Sequence, residues 1–405
     1  MAWTTEDKFI LKILFAPEKV KSIPLEEGAG TATADPDLNW SVLLEKAQRE
    51  GVSAVLFHNI TKHHLENLVP QESYKNLSNQ YYTNLKRNLS IIGELREVLA
   101  TLQEAAIPCI VLKGIALAER VYPNLAMRGM SDVDLMVRKE DLFRVDDRLS
   151  SLGYLSRDSS VAKAILNPAG YLASLEYQKN DPSPLNLHLH WHPVNTSVPA
   201  TMFAEQIDLN QLWEKAAMTQ VADSQALMLC PEHMIIYLSE HALRIGHSFD
   251  RLILVCDIFF VIRAFESSLD WDFIVAESRR FNLSRFVYHS LSIVEHYTAL
   301  GIPDDCIARL KPPDISWGEK FFLSLQRDNR RIRGSSYLVY LAMNRGVLAK
   351  IGFIARTFFP PRQILLQRRH GKNHESAKSY YIDRVREVFS QIFKLFTQDR
   401  MKITK

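Results

Sequence analysis

Two short stretches place side chains capable of metal binding or acid–base chemistry at every second position. In "MRGMSDVDLMV" Asp132 and Asp134 are separated by one residue, and in "LNLHLHWH" Asn186, His188, His190 and His192 alternate with Leu185, Leu187, Leu189 and Trp191. A period of two is that of a β-strand, so each stretch turns its polar set to one face and its apolar set to the other. Two carboxylates so close repel, which raises one pKa unless a cation lies between them. Magnesium suits that position, because it takes hard oxygen ligands from one or two carboxylates plus substrate phosphates. Imidazoles roughly 7 Å apart at Cα on one strand face can converge on a single ion. A half-exposed strand whose polar side is histidine has the same pattern.

Upstream, "VLKGIAL" ends a strand on Lys113 and Gly114 and enters a helix. Backbone N–H groups and a lysine in that setting can receive phosphate; a surface lysine at a strand end reads the same way. Arg128 and Ser131, just before the aspartates, bring a charge and a hydroxyl. A lone D-x-D is common, but a strand ending in glycine, a helix, and then D-x-D opening a second apolar strand form a far more specific combination.

The elements that must position these residues form three regions. Residues 1–106 read as helical, with "LNWSVLLEKAQREGVSAVLFHNI" and the long amphipathic run "YKNLSNQYYTNLKRNLSIIGELREVLATLQEAA" separated from the N-terminus by the loop-like "LEEGAGTATADPD". Residues 107–215 mix short strands ("CIVLKG", "DVDLMV") with helices ("IALAERVY", and "KEDLFRVDDRLSSLG" closed by Gly153), followed by a hairpin through "NDPSP" into the histidine strand. If that turn centres near Pro182, Glu176 faces His188 across the hairpin. Residues 216–405 read as helical again, ending in a tail whose lysines and arginines interleave with apolar clusters such as "YLVYLA" and "GFIARTFF".

With 405 residues, 47% hydrophobic content and 23% charge, the chain has the composition of an ordinary globular protein with a large core. A net charge of +3 does not by itself argue for nucleic acid or membrane. Cys109, Cys230, Cys256 and Cys306 form no C-x-x-C pair, which argues against a disulfide scaffold and a cysteine zinc site and for a reducing compartment. The N-terminus does not read as a secretion signal, and the most apolar window, "LILVCDIFFVIRAF", is interrupted by Asp257 and shorter than the roughly 20 residues a bilayer span needs. The expected location is the cytoplasm, with no transmembrane segment.

The run "VLKGIALAERVYPNLAMRGMSDVDLMV", with "LHLHWHPV", "LCPEHMIIYLSEHA" and "VCDIFFVIRAFESSLDWDFIVAESRRFNLSRFV", resembles the nucleotidyltransferase superfold of DNA polymerase β and the aminoglycoside nucleotidyltransferases. Within it the chain is similar to a bacterial family of uncharacterised nucleotidyltransferases. The resemblance implies an α+β fold with a polymerase β-like core and a small mixed sheet, flanked by helical N-terminal and C-terminal regions. It also implies transfer of a nucleoside monophosphate from a nucleoside triphosphate to an acceptor with two metal ions, Mg2+ or Mn2+, one activating the acceptor oxygen and the other holding the triphosphate. Asp132 and Asp134 match the metal-binding pair and Gly114 the glycine of the nucleotide-binding turn. The superfold's third carboxylate falls at His188, an imidazole better suited to manganese, nickel or zinc than to magnesium. Glu176, opposite His188, is the alternative third acid. Ile115 follows Gly114 where a small residue, often serine, is usual; Lys113 can compensate by touching phosphate.

On the helix "PEHMIIYLSEHALRIGH" a single stripe gathers His233, Tyr237, Glu240, His241 and Arg244. His241 and Arg244, with His190, are candidates for contact with the nucleotide or acceptor; a hydrated groove between helices reads alike. Asp257 needs a buried partner such as Arg244 or His241. The basic tail is either a helical subdomain with a solvated face or a surface for RNA, an anionic membrane or a protein partner. Three functions compete: an active nucleotidyltransferase whose acceptor is a small molecule, protein or RNA; a degenerate relative that binds without turnover; and a metallohydrolase built on H-x-H-x-H.

Overall fold

The computed structural model describes residues 3–20, 38–156, 174–179, 185–194, 207–244, 246–344 and 346–360, with 381–386, 388–390 and 393. The "LEEGAGTATADPD" and "NDPSP" segments and the last part of the basic tail lie outside the described residues.

Among the described residues four α-helices open the chain: α1 (Thr5–Phe15), α2 (Trp40–Arg49), α3 (Ser53–Lys62) and α4 (Gln71–Glu104). The longest, α4, starts after Pro70 and buries Leu77, Tyr81, Asn88, Ile91, Ile92, Leu95, Val98, Leu99 and Leu102, the three-and-four spacing of one helix face. The mixed segment follows with β1 (Ile110–Val111), α5 (Ile115–Arg120), β2 (Val133–Met136), α6 (Leu142–Ser151), β3 (Tyr154–Ser156), β4 (Ser174–Lys179) and β5 (Leu187–His190). Then come α7 (Leu209–Lys215), β6 (Ala217–Val221) and β7 (Ser224–Met228). Among the described residues there follow α8 (Pro231–Leu243), α9 (Ile253–Phe265), α10 (Trp271–Arg280), α11 (Ser284–Thr298), α12 (Asp304–Leu310), α13 (Trp317–Arg327), α14 (Tyr337–Met343) and α15 (Val347–Phe358).

Among the described residues seven strands form one sheet in the order β3-β4-β5-β2-β1-β7-β6. It is mixed: β2/β5 and β1/β7 pair parallel, the other neighbours antiparallel. Helices flank it, and one apolar core runs from Phe9 in α1 through Ile110, Leu135 and Leu189 in the sheet to Tyr340 in α14. This is the α+β architecture the resemblance implies. The sheet also takes in β6 and β7, which the sequence reading placed in its helical C-terminal region. Their turn, Ala222-Asp223, has φ of 51° and 56° at its two residues, the primed geometry that usually carries Asn-Gly. Tertiary contacts hold it: Arg96 pairs with Asp223 and donates to the Ala222 carbonyl, and Glu119 accepts from the Ala222 N–H at 2.9 Å.

In the basic tail, α15 turns Val347, Leu348, Ile351 and Ile354 outward, so its exposed face is more apolar than a solvated basic face would be. No helix of the described residues is long and apolar enough to cross a membrane.

The C-terminal helices are tied by Glu319, the third residue of α13. It closes a capping box with Ser316 and accepts from Arg285 at 2.6 Å and His289 at 2.8 Å, in a fully buried position. Burial alone would raise this carboxyl, but His289, Arg285 and the Ser316 backbone hold it at about 2. A carboxyl depressed in the folded state stabilises above its unfolded pKa and loses that stability as pH falls through the folded value. Urea unfolding of the native chain is therefore expected to lose about 2 to 3 kcal/mol through this group between pH 4.5 and 2. Glu319→Gln should flatten that part of the profile; an unchanged acid limb would refute the assignment.

Candidate functional site

The parallel register of β2 and β5 sets the site. Asp134 lies opposite His188 and Met136 opposite His190, while the antiparallel β4 brings Glu176 opposite His188 on its other side. Paired residues share a sheet face. Asp132, one step before β2, joins this face, so the expected juxtaposition of the D-x-D strand, the histidine strand and Glu176 is realised in the sheet.

Asp134 is almost fully buried. Its Oδ1 accepts from His190 Nε2 at 2.9 Å and lies 3.8 Å from His188 Nδ1, and its Oδ2 is 2.8 Å from the Lys113 ammonium. Lys113 also lies 3.6 Å from Asp132, and His188 Nδ1 is 3.6 Å from the same carboxylate. Burial alone would raise the Asp134 carboxyl, but Lys113 and then His190 and His188 hold it well below the usual carboxylate range. Burial pushes the His190 imidazole down despite the facing carboxylate. Glu176 stands beyond the His188 ring, its Oε1 3.9 Å from Nε2, so the ring separates it from the aspartates. His192 leaves the face: its Nδ1 meets the backbone of Val194, and the H-x-H-x-H trio does not converge.

Local structure explains these placements. Gly114 adopts φ +48°, a left-handed conformation that turns the chain from β1 into α5, and the Leu112 N–H donates to the Asp134 carbonyl at 2.9 Å. Lys113, between them, is thereby carried over the carboxylates. Asn88, buried on α4, donates to the carbonyls of Leu125 and Arg128 at 2.8 and 2.9 Å and fixes the loop that leads into the D-x-D strand. A Cβ at Gly129 would lie 3.0 Å from the Asn84 amide, so any larger residue here would have to displace the Asn84 side chain. Ser131 donates to Asp132 at 3.0 Å.

Arg128 reaches the cavity wall, but its guanidinium is directed to Asp257, with Nε to Oδ1 at 2.7 Å and Nη2 to Oδ2 at 3.0 Å, and Tyr122 donates to the same carboxylate at 2.7 Å. This corrects the expected partners of Asp257. Arg244 is engaged instead by Glu240, one turn earlier on α8, at 2.6 Å, and no contact of Asp257 with His241 is formed among the described residues. The expected stripe on α8 also divides: His233 pairs with Glu277 at 3.1 Å and packs on Phe273 and Phe281, away from the sheet site, whereas His241 and Arg244 face it.

A cavity of about 790 Å³ opens over the aspartates. Its walls carry Lys113, Arg128, Arg244 and Arg251, with His241 and His247, whose rings lie 4.5 Å apart. Burial, then Lys113 and Arg244, hold His241 well below its ordinary value, and burial, then Arg244, brings His247 to about 4. The buried Nδ1 of His241 has no hydrogen-bond partner among the described residues. A second cavity of about 190 Å³ adjoins on the β4 side, lined by Ser131, Asp132, Glu176, Gln178, Asn186 and His188. Cations therefore surround one side of the carboxylates, and neutral or acidic polar groups the other.

The residues fit a divalent cation. Asp134, His188 and His190 each offer a ligand atom within 4.8 Å of the others, and Asp132 adds a second carboxylate. Sequence reasoning missed Asn88, Asn84, His247 and Arg251: the two asparagines stand among other polar residues of the amphipathic α4 and the other two in the loop after α8, so nothing local sets them apart.

A mixed sheet with Asp134 on β2 and Asp132 one step before it, below a glycine turn and a basic cavity, defines a nucleotidyltransferase-type fold. The chain belongs to the family described as "Uncharacterised nucleotidyltransferase", which matches residues 36–299 and so includes every site residue named above. No match is found among curated proteins.

Proposed function

We propose that this chain moves a nucleoside monophosphate from a nucleoside triphosphate to an acceptor. The observation that carries the reading is the row Asp134–His188–Glu176 across three strands, with Asp132 beside it, beneath the basic cavity. The acceptor oxygen attacks the α-phosphorus, the bond to the β-phosphate breaks, pyrophosphate leaves, and the acceptor gives up its proton. Asp132, Asp134 and His188, with His190 beside Asp134 Oδ1, are the residues that would hold Mg2+ or Mn2+. A bound divalent ion supplies charge neutralisation for the triphosphate and lowers the pKa of the attacking oxygen. Arg244 and Arg251 face the phosphates from the cavity wall, and His190 orients Asp134. Lys113 holds the two carboxylates together. Glu176 would take the acceptor's proton, a role supported by its lining both cavities.

A second reading, a relative that binds nucleotide without turnover, is favoured by two observations: Lys113 already bridges the carboxylates, and His188 stands at the position of the third acid. Pyrophosphate release separates the two. The chain, given each of the four ribonucleoside triphosphates with Mg2+ or Mn2+ and pools of RNA, protein and small hydroxyl compounds as acceptors, is expected to release pyrophosphate with at least one of them and to stop on chelation. Nucleotide binding with no pyrophosphate from any combination would select the binder.

A further inference from the structure

The two oxygens of Asp134 are divided between different neighbours. Oδ2 contacts the Lys113 ammonium, whose side chain is 13% exposed, while Oδ1 faces the two imidazoles. Lys113 is not a loose surface cation. Its backbone is held between the Leu112 hydrogen bond to Asp134 and the Gly114 turn, and its carbonyl accepts from Ala116 at 3.0 Å. A divalent ion placed on the Oδ2 side would meet this positive charge at contact distance, beside a carboxylate that is itself almost fully buried.

On the Oδ1 side one nitrogen lies at the spacing of adjacent metal ligands and a second lies somewhat wider, so an ion would replace the proton His190 shares with Asp134 and draw the His188 ring inward. His190 Nε2 and His188 Nδ1 lie 2.9 and 3.8 Å from Oδ1. Ligands at 2.0–2.1 Å from an ion are about 3.0 Å apart in an octahedral shell and about 3.4 Å in a tetrahedral one. Two nitrogens and one carboxylate oxygen form a set that magnesium, which demands oxygen, binds poorly and borderline transition metals bind well.

We propose that Lys113 takes the place of one of the two cations of the nucleotidyltransferase site, and that the chain itself holds a single borderline divalent metal, of the Mn2+ class, through Asp134, His188 and His190. The inference rests on reading this sheet face as the metal centre for nucleotidyl transfer. It makes the histidine strand, and not a third carboxylate, the determinant of metal choice, with Asp132 free to complete the shell when nucleotide arrives.

The test is made on the full chain, freed of metal with a chelator and without nucleotide, by titration with Mn2+ followed by electron paramagnetic resonance. One Mn2+ per chain is expected, bound at least tenfold more tightly than competing Mg2+, with nitrogen couplings in the pulsed spectrum. His188→Asp and His190→Gln should each remove one nitrogen coupling and narrow the Mn2+ over Mg2+ preference about tenfold. Lys113→Met should raise the count to two ions. Two ions on the unmodified chain, equal binding of Mg2+ and Mn2+ without nitrogen coupling, or no ion bound at all, would each overturn the proposal. Turnover supported by Mg2+ with no nitrogen coupling would overturn it and leave nucleotidyl transfer standing. Mn2+ bound through nitrogen, one per chain, would support it even if no turnover were found.

Discussion

Asp134→Asn is expected to slow pyrophosphate release from the preferred nucleoside triphosphate by at least about 10³-fold, the scale on which removal of a single preorganised charge acts in a buried site. The amide keeps the shape and one oxygen acceptor, so His190 retains a partner, and Lys113 retains Asp132 at 3.6 Å. The charge that Lys113 and the imidazoles converge on is lost. Because the substitution also removes the buried charge that Lys113 faces at 2.8 Å, a lower unfolding midpoint is expected as well, and the rates are compared on protein shown to be folded at the assay temperature. Asp132→Asn should follow the same pattern, since Asp132 is the second carboxylate within reach of Lys113 and His188. A folded Asp134→Asn protein within tenfold of the unmodified rate would place the chemistry elsewhere.

Asp257→Ala is expected to cost about 3–5 kcal/mol of stability in urea unfolding, the range for breaking a buried ion pair by removing one partner. Asp257 is 1% exposed and receives three hydrogen bonds, two from Arg128 and one from Tyr122. Its removal leaves the Arg128 guanidinium buried without its counter-charge. The damage should also reach the site, because the Arg128 carbonyl is one of the two that Asn88 grips to set the loop before the aspartates. Asp257→Asn, which keeps one oxygen to accept from Arg128 Nε and Tyr122 but turns an NH2 toward Arg128 Nη2, should cost less. A loss below about 1 kcal/mol for Asp257→Ala would contradict the pairing.

How much of this was legible in the sequence depends on whether the signal was local. The α8, α9, α10 and α11 helices follow from helical spacing and from local stops and caps, such as Pro231 at the first turn of α8 and the Asp270 side chain accepting from Phe273. The facing of Asp134, His188 and Glu176 follows from strand periodicity, because a period of two fixes the face once the strands are neighbours. The β6–β7 hairpin was not legible: an Ala-Asp turn with two left-handed residues carries no turn signal and is held by Arg96 and Glu119 from distant parts of the chain. The partner of Asp257 was missed for a related reason. Arg128 lies 129 residues away, and only the fold shows that Glu240 engages Arg244 first. Lys113 was legible as a cation near the turn, but its position over the carboxylates follows from pairing β1 antiparallel to β2.

Following two labels in parallel tests the central claim most directly. The chain is incubated with its preferred nucleoside triphosphate carrying radioactive phosphorus at either the α or the γ position, with Mn2+ or Mg2+ and the acceptor pools. Transfer of a nucleoside monophosphate predicts that the α label becomes attached to acceptor and the γ label leaves in pyrophosphate, with both lost in Asp134→Asn. Label from the γ position on the acceptor, or its release as inorganic phosphate while α stays in the nucleoside diphosphate, would contradict the account.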